Sequence, residues 1–359
     1  MGLRTVLSVF SLVVLSACGS GADGAPSFAG EPSPPSSSAS RPAPAPPRAS
    51  APDAPLAPPQ DGPRGQALGA PYPIVLMHGM GGFEQLGLGP ISIQYWAGVR
   101  EALAGIGETE VYTTEVSPYD SSEARAGEAA RQIDAVLART NKAKVLLVAH
   151  SQGGLDARVL VSPNGLGYGD RVASVTTLST PHHGTRVADI AMRLVNVAPR
   201  EFDEATSAIL RLLQRSLYDL QNDPELRLQL NGLSERYMRE TFNPKYIDDP
   251  RVRYESYAGR SHLRAGLGVC DGGAYPNEPL KLDAIQSMLL ASALLIEEGL
   301  PPKVNDGLVT VSSAKWGSFM QCIPADHMKE VGHIGSNLGA FDHKGFFRSM
   351  VQRLRARGL

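Results

Sequence analysis

Val145-Leu-Leu-Val-Ala-His-Ser-Gln-Gly-Gly154 is an apolar run that ends in a serine set among small residues. Four to five consecutive apolar residues suit a strand buried on both faces. The pair Gly153-Gly154 suits a chain that must turn sharply and start a helix beside its neighbours. A serine on such a strand-to-helix turn is held out of the sheet at a helix N-terminus, where its oxygen can be approached. The pattern departs from G-x-S-x-G in one place: Ala149 stands where the first glycine would be, which adds one methyl group.

The flanking sequence alternates in the same way. Ile74 to Met77 is a second uninterrupted apolar run, followed by the flexible loop His78-Gly-Met-Gly-Gly82. That loop lacks the spacing of a dinucleotide-binding turn. "ISIQYWAGVREALAGIG" predicts a helix stopped by glycine, and "VYTTEV" a strand. From about Ser121 to Ala138, Ala126, Ala129, Ala130, Ile133, Val136 and Leu137 fall on one helical face, with Asp120 and Glu123 as the cap that starts it. "VASVTTLS" and "VRYESYAG" predict further strands, and "GFFRSMVQRLRARGL" a closing amphipathic helix. The expected fold is α/β, a mostly parallel sheet with helices on both faces. Between them, about 186–245 reads as nearly all helical, with the apolar stripe of "SAILRLLQRSLYDL" at its centre. A helical insertion in an alternating chain predicts a cap over the carboxyl edge of the sheet.

A serine hydroxyl is a poor nucleophile until a base takes its proton, so Ser151 needs an imidazole and a carboxylate, in the chain order serine, acid, histidine. Of eight histidines, His78 and His150 precede the serine, and His182 and His183 precede any suitable acid. His262, His327, His333 and His343 remain. Asp306 in "KVNDGLVTVSSA", at a turn that Gly307 permits, is the chosen acid, and His327 in "PADHMKEVGH" the chosen base, with His343 its main rival. Negative charge on a carbonyl oxygen needs two N–H donors. The backbone amides of Gln152, after the serine, and Met80, after the first strand, supply them.

The formal net charge of -2 on 359 residues argues against a nucleic-acid partner. At the amino terminus, Arg4 precedes "VLSVFSLVVLSAC", an apolar run too short for a transmembrane helix. Leu15-Ser16-Ala17-Cys18 resembles the lipobox of bacterial lipoproteins. That resemblance implies a signal peptide over 1–18, acylation of Cys18, and an outer-membrane destination because Gly19 follows. An ordinary secretory signal leading to a periplasmic or secreted protein is the alternative. Residues 19–70 are Pro, Ala, Ser and Gly with almost no aromatics and cannot bury enough apolar surface to offset ordering entropy. They read as a disordered tether, leaving 71–359 as the folded domain. With Cys18 acylated, Cys270 and Cys322 remain as an even pair in an oxidising compartment, which predicts a disulfide, with two separately buried thiols as the alternative.

Taken in order, "YPIVLMHGM", "YW", "VYTTEVS", "AHSQGG", "STPHHGT", "VRYESYAG", "NDGLV" and "DHMKEV" resemble the bacterial triacylglycerol lipases of family I, with the foldase-dependent subfamilies most similar. The resemblance runs from Pro71 to the C-terminus. It implies an α/β-hydrolase with Ser151, Asp306 and His327 as triad, Met80 and Gln152 as oxyanion donors, the insertion as lid, and a foldase chaperone as partner. Two departures stand out. Ser312 lies six residues after the acid, where the family commonly has cysteine, and Lys329 replaces the second of two aspartates that hold calcium, the first being Asp283. Calcium wants six to eight oxygen ligands, so no metal or other cofactor is expected. The reading is a carboxylester hydrolase acting on acylglycerols. A short-chain or polyester esterase with the same triad, and a non-catalytic acyl-lipid-binding lipoprotein, are the alternatives.

Overall fold

The computed structural model describes residues 68–82, 85–88, 91–194, 222–261, 268–276, 285–297, 303–333 and 341–359. The signal segment with Cys18, the tether up to residue 67, the stripe of "SAILRLLQRSLYDL", His262 and Asp283 lie outside them. The fold takes hold of the chain slightly earlier than residue 71: the Leu68 amide donates to the Asn141 carbonyl at 2.8 Å, and Ala143 donates back to Leu68 at 2.9 Å.

Six parallel strands form the sheet. In chain order they are β1 (Ile74–Met77), β4 (Val111–Thr113), β5 (Val145–His150), β6 (Val172–Leu178), β7 (Arg253–Gly259) and β8 (Ser318–Ile323), and they lie side by side as β4-β1-β5-β6-β7-β8. Alternate residues of the central strands feed two cores. Val75, Met77, Leu147 and Ala149 face α2 (Ser122–Thr140) and α3 (Gly153–Val161). Ile74, Leu76, Leu146 and Val148 face α1 (Val99–Ala104) and the closing helix α7 (His343–Ala356). This is why the strands read as continuous apolar runs rather than as alternation.

Two local expectations need correction. Ile91–Gln94 is not helical; it is the strand β3 of an antiparallel hairpin with β2 (Gln85–Leu88), and the helix starts only at Val99, after Gly98 in the left-handed region at φ 66°. Ile-Ser-Ile is a β-branched alternation, and that local pattern prevails over the helical spacing beyond it. The cap of α2 is Ser121, whose hydroxyl accepts from the Ala124 amide, while Asp120 accepts from the Ser121 amide one residue earlier. The face read for α2 is otherwise buried from Ala126 to Val136.

Within the insertion, the described parts are helical: α4 (Arg186–Leu194), α5 (Pro224–Gly232) and short helical turns over 235–245. Helix α5 begins with proline just inside the Asp223 cap. Between β7 and β8 the chain carries α6 (Ser287–Glu297), absent from the sequence reading. The segment 268–276 lies along β8, with the amides of Ala274 and Tyr275 donating to the carbonyls of Phe319 and Met320 at 3.0 and 2.9 Å. Among the described residues no helix is long and apolar enough to cross a membrane.

Candidate active site

Ser151 sits between β5 and α3 at φ 56°, a left-handed conformation that a non-glycine residue holds only when its surroundings enforce it. Its amide donates to the Leu178 carbonyl at 3.0 Å. The two glycines after it are required by close approach. A Cβ on Gly153 would stand 2.5 Å from the Met77 carbonyl oxygen, and one on Gly154 would stand 2.1 Å from Thr180 Oγ1. Ala149 is tolerated because its methyl group points into the core. Ser151 itself is half-buried and can be reached.

The backbone amides of Met80 and Gln152 have no hydrogen-bond partner among the described residues. The peptide carrying the Met80 N–H is pinned by its carbonyl. Gly79 O accepts from the Gly82 amide at 3.1 Å and from Arg125 Nη2 at 3.3 Å. His78 Nδ1 lies 3.0 Å from the same oxygen. Because the C=O and N–H of a trans peptide point in opposite directions, holding the oxygen aims the N–H the other way. Burial, then the Arg125 charge, lowers His78 to about 4 and keeps its ring neutral. Arg125 also reaches the His78 carbonyl at 2.7 Å, and its Nε pairs with Asp156 Oδ2 at 2.8 Å, with both side chains excluded from solvent. Burial pushes Asp156 up to about 6 against the pull of Arg125. Neither partner was read as functional. The signal was present for one of them: Arg125 falls on the buried face of α2, where an arginine is out of place.

The acid and base come from the other end of the sheet. Asp306 is fully buried in a tight turn. Its Oδ1 accepts from the amides of Leu308 and Val309 at 2.8 and 2.7 Å, and its Oδ2 lies 2.7 Å from His327 Nδ1. The backbone doubles the link, since the His327 amide donates to the Asp306 carbonyl at 2.9 Å. Gly307, at φ 103°, makes the turn possible. With Nδ1 committed to a carboxylate, Nε2 is the nitrogen left for a proton acceptor's work. The His327 ring lies 4.5 Å from that of His150, the residue before Ser151. The rival His343 is turned away, with Nε2 2.8 Å from the Ala97 carbonyl.

Glu330 is a further buried carboxyl that sequence did not single out. It accepts from Ser179 Oγ at 2.7 Å, and burial together with the Asp306 charge pushes it well above the usual carboxylate range. His150, His327 and Glu330 gather at a spacing open to a metal ion. Each is oriented by its other atom, His327 Nδ1 by Asp306, His150 Nδ1 by Tyr95 and Glu330 Oε1 by Ser179, while His150 Nε2 and Glu330 Oε2 have no hydrogen-bond partner among the described residues.

At the histidine turn the carboxylate of Asp326 is held by backbone amides. Asp326 Oδ1 is occupied by the amides of Met328 and Lys329, and Oδ2 by the amide of Gln286 at 3.0 Å. The Lys329 ammonium is buried 3.7 Å from Oδ2. Close by in sequence, Cys270 and Cys322 are joined in a disulfide.

Residues 72–245 match the family model described as the alpha/beta hydrolase fold. A triacylglycerol lipase of Pseudarthrobacter phenanthrenivorans is 34% identical, over 80% of this chain and 98% of its own length. Another, from Burkholderia plantarii, is also 34% identical over 80% of this chain and 87% of its own. Among solved structures, a Bacillus licheniformis lipase in its mature form superposes with a TM-score of 0.51 at 18% identity, covering 76% of this chain and 90% of that one. EstA from Clostridium botulinum gives 0.51 at 20%, over 81% and 88%. With the serine turn and buried Asp–His pair already in place, these likenesses allow one conclusion: the chain belongs to the triacylglycerol lipases of the α/β-hydrolase fold, serine hydrolases of carboxylic esters.

Proposed function

We propose that ester cleavage runs through an acyl-enzyme on Ser151. His327 takes the serine proton as the oxygen attacks the ester carbonyl, and Asp306 holds the ring in the correct tautomer and stabilises its charged form. The amides of Met80 and Gln152 receive the oxyanion. His327 then returns the proton to the leaving alcohol, and water repeats the cycle on the acyl group. The observation that carries this reading is the 2.7 Å Asp306–His327 contact, with the His327 ring 4.5 Å from that of His150, the residue before a serine held at positive φ. Ser151→Ala should fold normally and lose several orders of magnitude in kcat for p-nitrophenyl esters, and a fluorophosphonate should label Ser151 in the parent. Near-parental turnover by the folded variant would sink the assignment.

Long-chain acylglycerols are the substrate class we favour. Met80 joins an apolar cluster with Val187, Ala191, Leu226, Leu230 and Ile296, from α4, α5 and α6. The adjoining helices leave Leu228, Met288, Leu290 and Leu294 exposed. Apolar side chains gathered beside a reactive serine suit acyl chains and a lipid interface. Activity should rise sharply once substrate exceeds its solubility limit, whereas a smooth hyperbolic curve favours the short-chain or polyester reading. Anchoring through an acylated Cys18, an outer-membrane location and a foldase partner are supported by the sequence alone. For the histidine turn, we read the Lys329 ammonium as standing in place of calcium.

A further inference from the structure

From the oxyanion loop a short chain of buried hydrogen bonds, which the acyl-transfer chemistry does not use, runs to His150, packed against the histidine loop. The Gly79 amide donates to Tyr95 Oη at 3.0 Å. Burial holds Tyr95 as the neutral phenol, so its oxygen still has a proton to place, and His150 Nδ1 lies 2.6 Å away. Accepting that proton at Nδ1 fixes the neutral His150 ring with its own proton on Nε2. Nε2 makes no hydrogen bond among the described residues; it lies 3.3 Å from Glu330 Oε2, on the loop that carries His327, and the His150 ring stands 4.5 Å from that of His327. Both bonds point the same way, from the loop that presents the Met80 amide to His150, whose ring packs against the loop that presents the base. Tyr95 and His150 are 4% and 1% exposed, so water cannot substitute for either.

We propose that Tyr95 and His150 are positioning residues for ester hydrolysis, a strut behind Ser151 that sets the distance between the oxyanion donors and the His327 imidazole. The strut rests on the acyl-enzyme reading above. Neither side chain touches substrate; each acts by fixing a loop. Losing the phenol oxygen leaves the Gly79 amide without its acceptor and His150 free to change tautomer, which releases both loops together. The stabilisation lost belongs to the transition state, since the oxyanion and the imidazolium form only there.

The test is Tyr95→Phe, which keeps the ring and removes only the oxygen, alongside His150→Leu, His150→Gln and the double variant. Tyr95→Phe should lower kcat roughly ten- to a hundredfold with KM within about twofold, and should weaken inhibition by an alkylboronic acid, tetrahedral on Ser151, by a similar factor. The double variant should be no worse than the poorer single, because each break removes the same strut. His150→Gln, which keeps a polar group between Tyr95 and the histidine loop, should recover part of the loss. Unchanged kcat in Tyr95→Phe, or losses that multiply in the double variant, overturns the proposal. So does a fall in melting temperature with kcat and boronate affinity intact, which marks a structural role only. If the histidine variants do not fold, Tyr95→Phe decides alone. Failure of the parent to hydrolyse esters or to label at Ser151 rejects the acyl-enzyme reading, a result distinct from any of these.

Discussion

The two halves of the catalytic centre are built by different means. The serine half, from β1 through α3, rides on consecutive regular elements, and its loops are fixed by buried polar contacts that radiate from Arg125. The acid–base half hangs from two connections, Asp306 from the one between β7 and β8 and His327 from the one that follows β8. Its turns are closed by their own side chains, Asp306 and Asp326, and its outer segment is fastened by the Cys270–Cys322 bond across 52 residues. One half is held by sheet geometry and a single buried charge pair. The other carries its residues on loops beside α6 and after β8 and relies on a covalent link and local turns.

This contrast can be broken at four places. Asp156→Ala strands the buried Arg125 charge and should cost about 3–5 kcal/mol, with a fall in kcat as the Gly79 carbonyl loses its donor. Urea denaturation and initial rates on one preparation measure both, and a cost under about 1 kcal/mol would remove Arg125 from its central place. Cys270→Ser with Cys322→Ser should cost about 2–4 kcal/mol, mostly as lower melting temperature, while kcat at 25 °C falls less than in Asp156→Ala. A larger loss of kcat from the disulfide variant would invert the comparison. Acid should act through the neutral buried rings. His78 and His333 are lowered to about 4 from an ordinary 6.5, mainly by burial, so the unfolded chain binds their protons first as pH falls. Their stabilisation is complete above pH 6.5 and is lost progressively toward pH 4, at about 1.4 kcal/mol per ring for each pH unit. Melting curves from pH 7 to 4.5 should show this slope, and His78→Gln should reduce it. The smallest effect belongs to Lys329→Met, about 1–2 kcal/mol, with EDTA changing neither activity nor melting temperature of the parent. A calcium-reversible loss on chelation would contradict the ammonium reading.

What was legible in the sequence follows the same division. The serine turn is contiguous, so Val145 to Gly154 carries strand, turn and close approach in one stretch. Asp306 and His327 could be chosen by chain order and turn chemistry, since Asp-Gly and the loop around His327 are local features. The supporting groups are legible only in three dimensions: Arg125 meets Asp156 across 31 residues, and Tyr95 meets His150 across 55. No spacing rule links such pairs; at most, a charge on an apolar helical face signals that a partner exists. The hairpin at Ile91–Gln94 was missed because four residues of β pattern were absorbed into a longer helical one. Asp283, the first of the two aspartates, lies outside the described residues, whereas Asp326, three positions from Lys329, is the carboxylate beside its ammonium.

The bonds from Ala274 and Tyr275 to β8 bear on how this protein would survive its own synthesis. β8 is the last strand of the sheet, and an uncovered edge is a template on which further chains can assemble. The segment that shields it is pinned by the Cys270–Cys322 bond, so shielding arrives with oxidation rather than with folding alone. A chain made in a reducing cytoplasm would carry a correctly ordered sheet with a loosely guarded flank. Yield from such a host would then be limited by oligomers growing outward from β8, and an oxidising host would raise soluble recovery more than the specific activity of what is recovered.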